Sequence, residues 1–401
     1  NSFMRRAVFT RSTGKSWRTP SLPRAYRKRT GIVMTQHKIE TTYSFQQEKQ
    51  CGDLDSRKTD HLRIIREDDG VDRGMAKGIS AFDSIDLNHR GFNQGTLQNT
   101  STKSVFLNKE LSMPFMIGAM TGGQSHALEA INCQLARAAE NEKVALALGS
   151  MRPLLNNMED ATIRRSFCLR PHAPSIPILA NIGIAQVAAG MNLSIVKKAL
   201  TLMDVDALVV HFNALQEAVQ PEGESDFTGL KEKLTALVKY LSIPVIAKEV
   251  GCGFSLEDME ELHECGISQI EVAGRGGTSW SRVEHHRRKD KNELGMLFQD
   301  WGILTTDCLM MGAISKYPLK LIASGGVRNG IDMAKALAMG ASCTAMARPV
   351  LLAADQGDEA LLNFITSRRK ELQTAMFLVG ARGIDELIGN RHLWRYKGGD
   401  R

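Results

Sequence analysis

From residue 114 onward the chain repeats one pattern: a short run that is apolar on both faces, followed by a longer amphipathic run. Runs of the first kind suit strands of a parallel sheet covered by helices, and runs of the second suit the helices that cross between them. Strands are predicted at 114–120, 145–150, 177–183, 207–212, 244–250, 269–274, 319–325 and 343–349. Helices are predicted at 124–142, 228–241, 255–264, 330–338 and 357–379, with acids near several starts. Eight parallel strands suit closure into an α/β (β/α)8 TIM barrel over 114–379; a doubly wound open sheet is the structural alternative. An N-terminal extension over 40–113 and a C-terminal one over 380–401 flank it. The stretch 275–300 is the long irregular segment inside the alternation and reads as a candidate lid over the strand ends.

The net charge of +7 raises the question of a nucleic-acid partner, but its distribution argues against one. Ten of the 51 Lys and Arg fall in residues 1–39, which hold none of the 44 acids, so the rest of the chain is slightly acidic. Residues 1–39 therefore read as a basic leader, expected to be disordered because its composition cannot bury a core. It fits an organelle transit sequence, a nucleic-acid-binding arm, or translated residues upstream of a start at Met34. No uncharged apolar run reaches the roughly 18 residues of a spanning helix, so no membrane partner is expected. Seven cysteines, Cys51, Cys133, Cys168, Cys252, Cys265, Cys308 and Cys343, are scattered without metal-site spacing. They read as reduced thiols, which points to a cytoplasmic setting.

A barrel carries its chemistry at the carboxyl ends of its strands, and unusual polar residues cluster there on nearly every strand. They are Met120-Thr121-Gly122-Gly123, Ser150-Met151-Arg152, Asn181, the group His211, Asn213, Gln216 and Glu217, and Lys248-Glu249. After the last three strands come Gly274-Arg275-Gly276-Gly277-Thr278-Ser279, Ser324-Gly325-Gly326-Val327-Arg328 and Ala347-Arg348-Pro349. Any one of these alone is a turn or a satisfied core group; together they describe a site. Ser324-Gly325-Gly326, followed by a helix start near Gly330, offers backbone amides to a cofactor phosphate. Gly276-Gly277-Thr278-Ser279 offers a second such turn. Lys248, at the inward end of an apolar strand, is costly to bury unpaired, so an anionic partner is implied, and a flavin ring fits that role. Glu217 can hold Mg2+ through one oxygen and leave the other positions to water or phosphate. Arg57, Lys58 and His61 share one face of a possible helix; with Arg152 they can clamp a substrate phosphate. His285-His286-Arg287-Arg288-Lys289 reads as a solvated charge run, and the methionines, Met310-Met311 included, as core.

The segments RKTDH at 57, MTGG at 120, GSMR at 149, ANIGIAQ at 180, HFNALQEAVQPEG at 211, VIAKEVGCG at 245, VAGRGGTSW at 272, DWGI at 300, IASGGVRNG at 322 and MFLVGAR at 376 carry a resemblance to the type 2 isopentenyl diphosphate isomerase family. It runs in order over roughly residues 55–390 and leaves the basic leader outside. The resemblance implies an FMN-dependent barrel enzyme, a homotetramer or homo-octamer. It would interconvert isopentenyl and dimethylallyl diphosphate with Mg2+ and with flavin reduced by NADPH. It implies FMN contacts at Met120, Thr121, Ser150, Asn181, Lys248, Thr278, Gly325, Gly326 and Ala347. It further implies substrate contacts at Arg57, Lys58, His61, Arg152, Asn213 and Gln216, and magnesium at Glu217. Lys248 and Gln216 are the residues implied in catalysis. Three positions depart from the family's pattern: Met151 replaces a polar or small residue, and Ala214 and Leu304 replace frequent prolines.

A 1,3-proton shift across an alkene needs a proton given to one carbon and taken from another, with water kept away from the cationic state between. No pair of carboxylates is evident for that task, which leaves the reduced flavin as acid and base. A 2-hydroxy acid oxidase on the same barrel is the nearest alternative; it would carry a histidine followed by Gly-x-Arg-Gln, absent from Gly274-Arg275-Gly276 and Gly326-Val327-Arg328-Asn329. A nucleotide dehydrogenase would need a nucleophilic cysteine in a late loop, whereas Cys308 and Cys343 fall in an expected helix and strand. A catalytically inert barrel that binds RNA through the leader is the alternative of a different class.

Overall fold

The structure, a computed structural model, describes residues 57–72, 80–120, 125–290 and 292–397. The basic leader, Cys51 and Thr121 lie outside the described residues. The expected alternation closes into a barrel of eight parallel strands, each paired with its successor and the last with the first. The strands are β1 Phe115–Ile117, β2 Ala145–Ala147, β3 Ile178–Gly183, β4 Ala207–Phe212, β5 Val245–Glu249, β6 Gln269–Glu271, β7 Lys320–Ala323 and β8 Ala341–Met346. All eight were expected. The last is displaced: it ends at Met346 rather than 349, because Arg348–Asp355 is a helix with Pro349 in its first turn, where a missing N–H costs nothing.

Side-chain parity follows from the period of two along a strand. Met116, Ala145, Ala147, Leu179, Ala207, Val209, Ile246, Ile322, Cys343 and Ala345 form one buried cluster, the barrel interior. Their neighbours Phe115, Ile117, Leu146, Ala180, Ile182, Leu208, Val210, Ala247, Ile270 and Leu321 belong to a second, larger cluster packed with the helices. The same parity turns Asn181, His211, Lys248, Glu271 and Ser324 inward at the carboxyl ends. In-register pairing sets His211 beside Lys248 and Lys248 beside Glu271.

The helices that matter for the site are α1 over 57–67, α2 Ala214–Val219, α3 Trp280–Arg287, α4 Gly330–Ala338 and α5 Arg348–Asp355. Expected helices are also found at His126–Glu142, Leu230–Tyr240, Leu256–Glu264 and Asp358–Val379. The stretch 275–300 is not irregular throughout. It contains α3 and a short helix, Leu294–Leu297, and Ser279 and Ser281 tie its two arms together through the carbonyls of Gln299 and Phe298.

The chain on either side of the barrel is built into the fold. Ile85–Leu87 pairs antiparallel with Trp394–Tyr396. A hairpin, Ser104–Phe106 with Lys109–Leu111, turns through Leu107 and Asn108, both at positive φ, as a two-residue hairpin of matching twist requires. Its Phe106 and Leu111 join the barrel-interior cluster and plug it. Among the described residues no helix is long and apolar enough to cross a membrane, and the six described cysteines are free.

Candidate active site

A cavity of about 490 Å³ opens at the carboxyl ends of the strands, within the range of small-molecule sites. It is lined by Arg57, Lys58, His61, Met120, Ser150, Arg152, Asn181, Asn213, Gln216, Glu217, Lys248, Thr278, Gly325, Gly326 and Ala347. Every expected site residue that the structure describes therefore faces one space.

The floor is a belt of inward side chains. His211 Nδ1 lies 2.6 Å from Asn181 Oδ1. Burial first, then the positive charges of Lys248, Arg57 and Lys58, hold the His211 pKa down to about 4. The ring is thus neutral near pH 7, with Nδ1 paired to Asn181. Lys248 differs from expectation. Its anionic partner is part of the protein: Nζ lies 2.5 Å from Oε1 of Glu271 and donates to the carbonyl of Glu249 at 3.1 Å. Ser324 Oγ donates to the same Glu271 oxygen at 2.6 Å. Burial of Lys248 therefore does not by itself call for a bound anion. Glu249 faces away, its Oε2 accepting from the amides of Gly251, Cys252 and Gly253, and serves the turn after β5.

On one wall two glycine turns meet. Gly325 and Gly326 have φ of +88° and +91°, and a Cβ on Gly326 would lie 2.7 Å from the Gly276 carbonyl carbon. A Cβ on Gly277 would sit 2.9 Å from the Gly326 nitrogen. The carbonyls are held by Thr305 Oγ1 on Gly325, at 2.5 Å, and Ser80 Oγ on Gly326, at 3.0 Å. The Gly325 and Gly326 amides have no acceptor among the described residues, which leaves a cradle for an anion. The helix start near Gly330 does not contribute to it. Asn329 Oδ1 accepts from the amides of Ile331 and Asp332, and Glu371 accepts from Gly330. The helix that does face the cavity is α5, whose cap residue Ala347 makes no side-chain cap.

Behind the lining residues His61 and Gln216 lies a charged network around Glu284, a residue sequence reasoning missed. Its side chain is fully buried and accepts from His61 Nε2 at 2.9 Å, Gln216 Nε2 at 2.7 Å and Arg287 Nε at 2.8 Å. Burial alone would raise its pKa, but the His61 hydrogen bond, the charges of His61 and Arg287 and the Gln216 contact outweigh it and hold it at about 2. The segment 285–289 is accordingly not a solvated run: Arg287 joins Glu284 to Glu222, and Arg288 pairs with Asp290 and donates to the Val219 carbonyl. Trp280 meets His61 edge-on at 5.2 Å.

Three of the cations expected to clamp a phosphate are engaged. Arg57 lies 3.8 Å from Glu222, Arg152 donates to Glu224 at 2.9 Å, and Lys58 Nζ reaches the Ser150 carbonyl at 3.4 Å. Glu217 accepts from Asn213 Nδ2 at 2.7 Å, Gln220 Nε2 at 2.5 Å and the Glu224 amide at 2.8 Å. Beside it, Asn213 Oδ1 and Gln220 Oε1 are buried without a partner among the described residues. One carboxylate with two unmatched amide oxygens is not a metal cage, and among the described residues no group of three or more ligating side chains exists. It does fit a cation that takes most of its ligands from water and phosphate.

The departures from the family's pattern leave this geometry intact. Ala214 opens α2, where proline is tolerated but not needed. Leu304 has a φ of −61°, the value proline would impose. Met151 is fully buried core. Cys308 and Cys343 are fully buried, with burial pushing the Cys308 thiol up to about 12 and that of Cys343 up as well, so neither is a nucleophile.

Comparison with known proteins agrees with this architecture. Residues 212–395 match the FMN-dependent dehydrogenase family. Solved structures of the same fold include a flavocytochrome b2 mutant with benzoylformate, at TM-score 0.56 and 18% identity over 79% of this chain and 76% of that one. A mandelate oxidase mutant carrying an FMN adduct matches at TM-score 0.54 and 16% identity over 79% of this chain and 90% of that one. At such identities these show the fold alone. Sequence similarity is far stronger elsewhere. The isopentenyl-diphosphate delta-isomerase of Paracoccus zeaxanthinifaciens is 44% identical over 344 residues, 84% of this chain and 97% of that protein. The enzyme of the same name from a Synechocystis strain is 39% identical over 347 residues, 86% of this chain and 97% of that protein. With near-complete coverage of such relatives, the chain belongs to the isopentenyl-diphosphate delta-isomerase family.

Proposed function

We propose that this protein is an FMN-dependent isopentenyl-diphosphate delta-isomerase that interconverts isopentenyl and dimethylallyl diphosphate by a 1,3-proton shift. The observation that carries the reading is one cavity lined by two unlike groups, a glycine cradle whose Gly325 and Gly326 amides have no acceptor among the described residues, and the cationic set Arg57, Lys58, His61 and Arg152. The cradle fits the FMN phosphate, which Gly325, Gly326, Thr278 and Ala347 would contact, with Met120, Ser150 and Asn181 for the rest of the cofactor; Thr121, outside the described residues, is assigned to FMN by the family resemblance alone. Bound FMN, once reduced by NADPH, supplies a group able to give a proton to the alkene and take one from it.

The protein's own work is anchoring, orientation and exclusion of water. Arg57, Lys58 and Arg152 bind the diphosphate as charge-assisted donors. Glu217, with the amide oxygens of Asn213 and Gln220, would hold Mg2+, which would supply positive charge to the diphosphate. Gln216, held by Glu284, keeps its amide fixed beside the reacting carbons. Lys248 would supply positive charge to the bound flavin. Glu217, Glu271 and Glu284 each accept hydrogen bonds from neighbouring groups, and the reading gives none of them the proton transfers.

The 2-hydroxy acid oxidase reading shares the fold. The two cavity histidines speak against it: His61 is committed to Glu284 and His211 to Asn181. The reading extends to a homotetramer or homo-octamer in the cytoplasm, with a division into an extension at 40–113, the barrel at 114–379 and a tail at 380–401, on the strength of the family resemblance. The test is anaerobic incubation of the purified protein with FMN, NADPH, Mg2+ and isopentenyl diphosphate, followed by product analysis. Dimethylallyl diphosphate is the expected product; oxidation of a 2-hydroxy acid without isomerisation, or a colourless protein that takes up no FMN, overturns the reading.

A further inference from the structure

Glu271 is a buried ionisable group of the cavity that takes no part in the function above. It is 1% exposed, stands at the inward end of β6, and lies in register with Lys248 on one side and Ile322 on the other. Its two oxygens are used unequally. Oε1 takes both Lys248 Nζ, at 2.5 Å, and Ser324 Oγ, at 2.6 Å. Oε2 is buried with no partner among the described residues. Leaving a carboxylate oxygen unmatched in the interior is costly.

We propose that Glu271 is a positioning residue: it fixes the Lys248 ammonium at the cavity floor and sets how much of that positive charge reaches the bound flavin. The proposal rests on the FMN reading above. Two of the three Lys248 donors are fixed, by Glu271 Oε1 and the Glu249 carbonyl, so the third is aimed by geometry. Opposite charges in contact form a dipole, and at a ring farther away the carboxylate cancels much of the ammonium's field. Lys248 without Glu271 would favour the reduced, negatively charged flavin more strongly. With Glu271 the preference is tempered, and the reduced ring stays basic enough to hold and return a proton. Ser324, donating to the shared oxygen, keeps the carboxylate from swinging toward its unmatched side.

The test compares holoprotein wild type with Glu271→Gln, in which the amide oxygen still accepts from Lys248 but the charge is gone. The readout is the midpoint potential of bound FMN, which reports the ratio of affinities for reduced and oxidised flavin. That ratio is expected to rise at least tenfold in Glu271→Gln, about 30 mV upward for a two-electron couple. Glu271→Asp, which keeps the charge but draws it back by one methylene, moves it the same way by a smaller factor and serves if Glu271→Gln does not fold. A merely structural pair would lower stability and leave the ratio alone. A ratio unchanged within twofold, or lowered, overturns the proposal while leaving the isomerase reading standing if the wild type binds FMN and turns over. A wild type that takes up no FMN overturns both.

Discussion

At the residue scale the site depends on a few positions where only one side chain works. Gly326 is one: its φ of +91° and the 2.7 Å approach of Gly276 backbone exclude a Cβ. Gly326→Ala should lose about 2 kcal/mol of stability or more from backbone strain and displacement of the facing turn. Its FMN affinity should fall further than its melting temperature accounts for, as read by thermal unfolding alongside flavin titration. Glu284 is another. Its pKa in the fold, about 2, lies below its ordinary 4.5, so the unfolded chain takes up the proton first as pH falls. The stabilisation is fully present above pH 4.5 and is lost on descent toward 2; the shift corresponds to an upper limit of roughly 3 kcal/mol. Urea midpoints measured across that window should fall in the wild type and fall less steeply in Glu284→Gln. Neither Glu271 nor Glu284 stands out in the sequence, because an acid reads as solvated unless its partner is known, and their partners in the cavity lining, Lys248 and His61, lie 23 and 223 residues away. Strand parity does mark Glu271: it shares an inward face with Lys248, which was noticed.

At the scale of elements, the loop that follows α2 competes with any anion for the site's cations. Glu222 bridges Arg57 and Arg287, and Glu224 holds Arg152. Removing that competition by Glu224→Gln frees Arg152 for phosphate, so KM for the diphosphate should fall severalfold with kcat little changed. Steady-state kinetics at fixed Mg2+ checks this, and a raised KM would instead give Glu224 a share in holding the cation. The barrel strands were legible because they are apolar and short, with turn residues between them. Strand β8 was placed late because Ala341 and Ser342 carry little apolar signal. Helix α3 was missed for a different reason: it buries Ser281, Val283 and Glu284, so its inner face is mostly polar and shows no apolar stripe.

At the scale of the whole molecule, the barrel brings together residues from α1 at 57–67 through Ala347. Rim chemistry could be read strand by strand because this fold fixes where strand ends point. What could not be read was the pairing among rim groups, which depends on which strand neighbours which and in what register. The hairpin at Ser104–Leu111 adds a constraint of another kind. With Phe106 and Leu111 packed into the interior cluster, the barrel is filled behind the cavity, and among the described residues the cavity is bounded by the strand ends. On the arrangement proposed above, with FMN at Lys248 and the diphosphate at the arginines, exchange of the cofactor would wait on departure of the diphosphate.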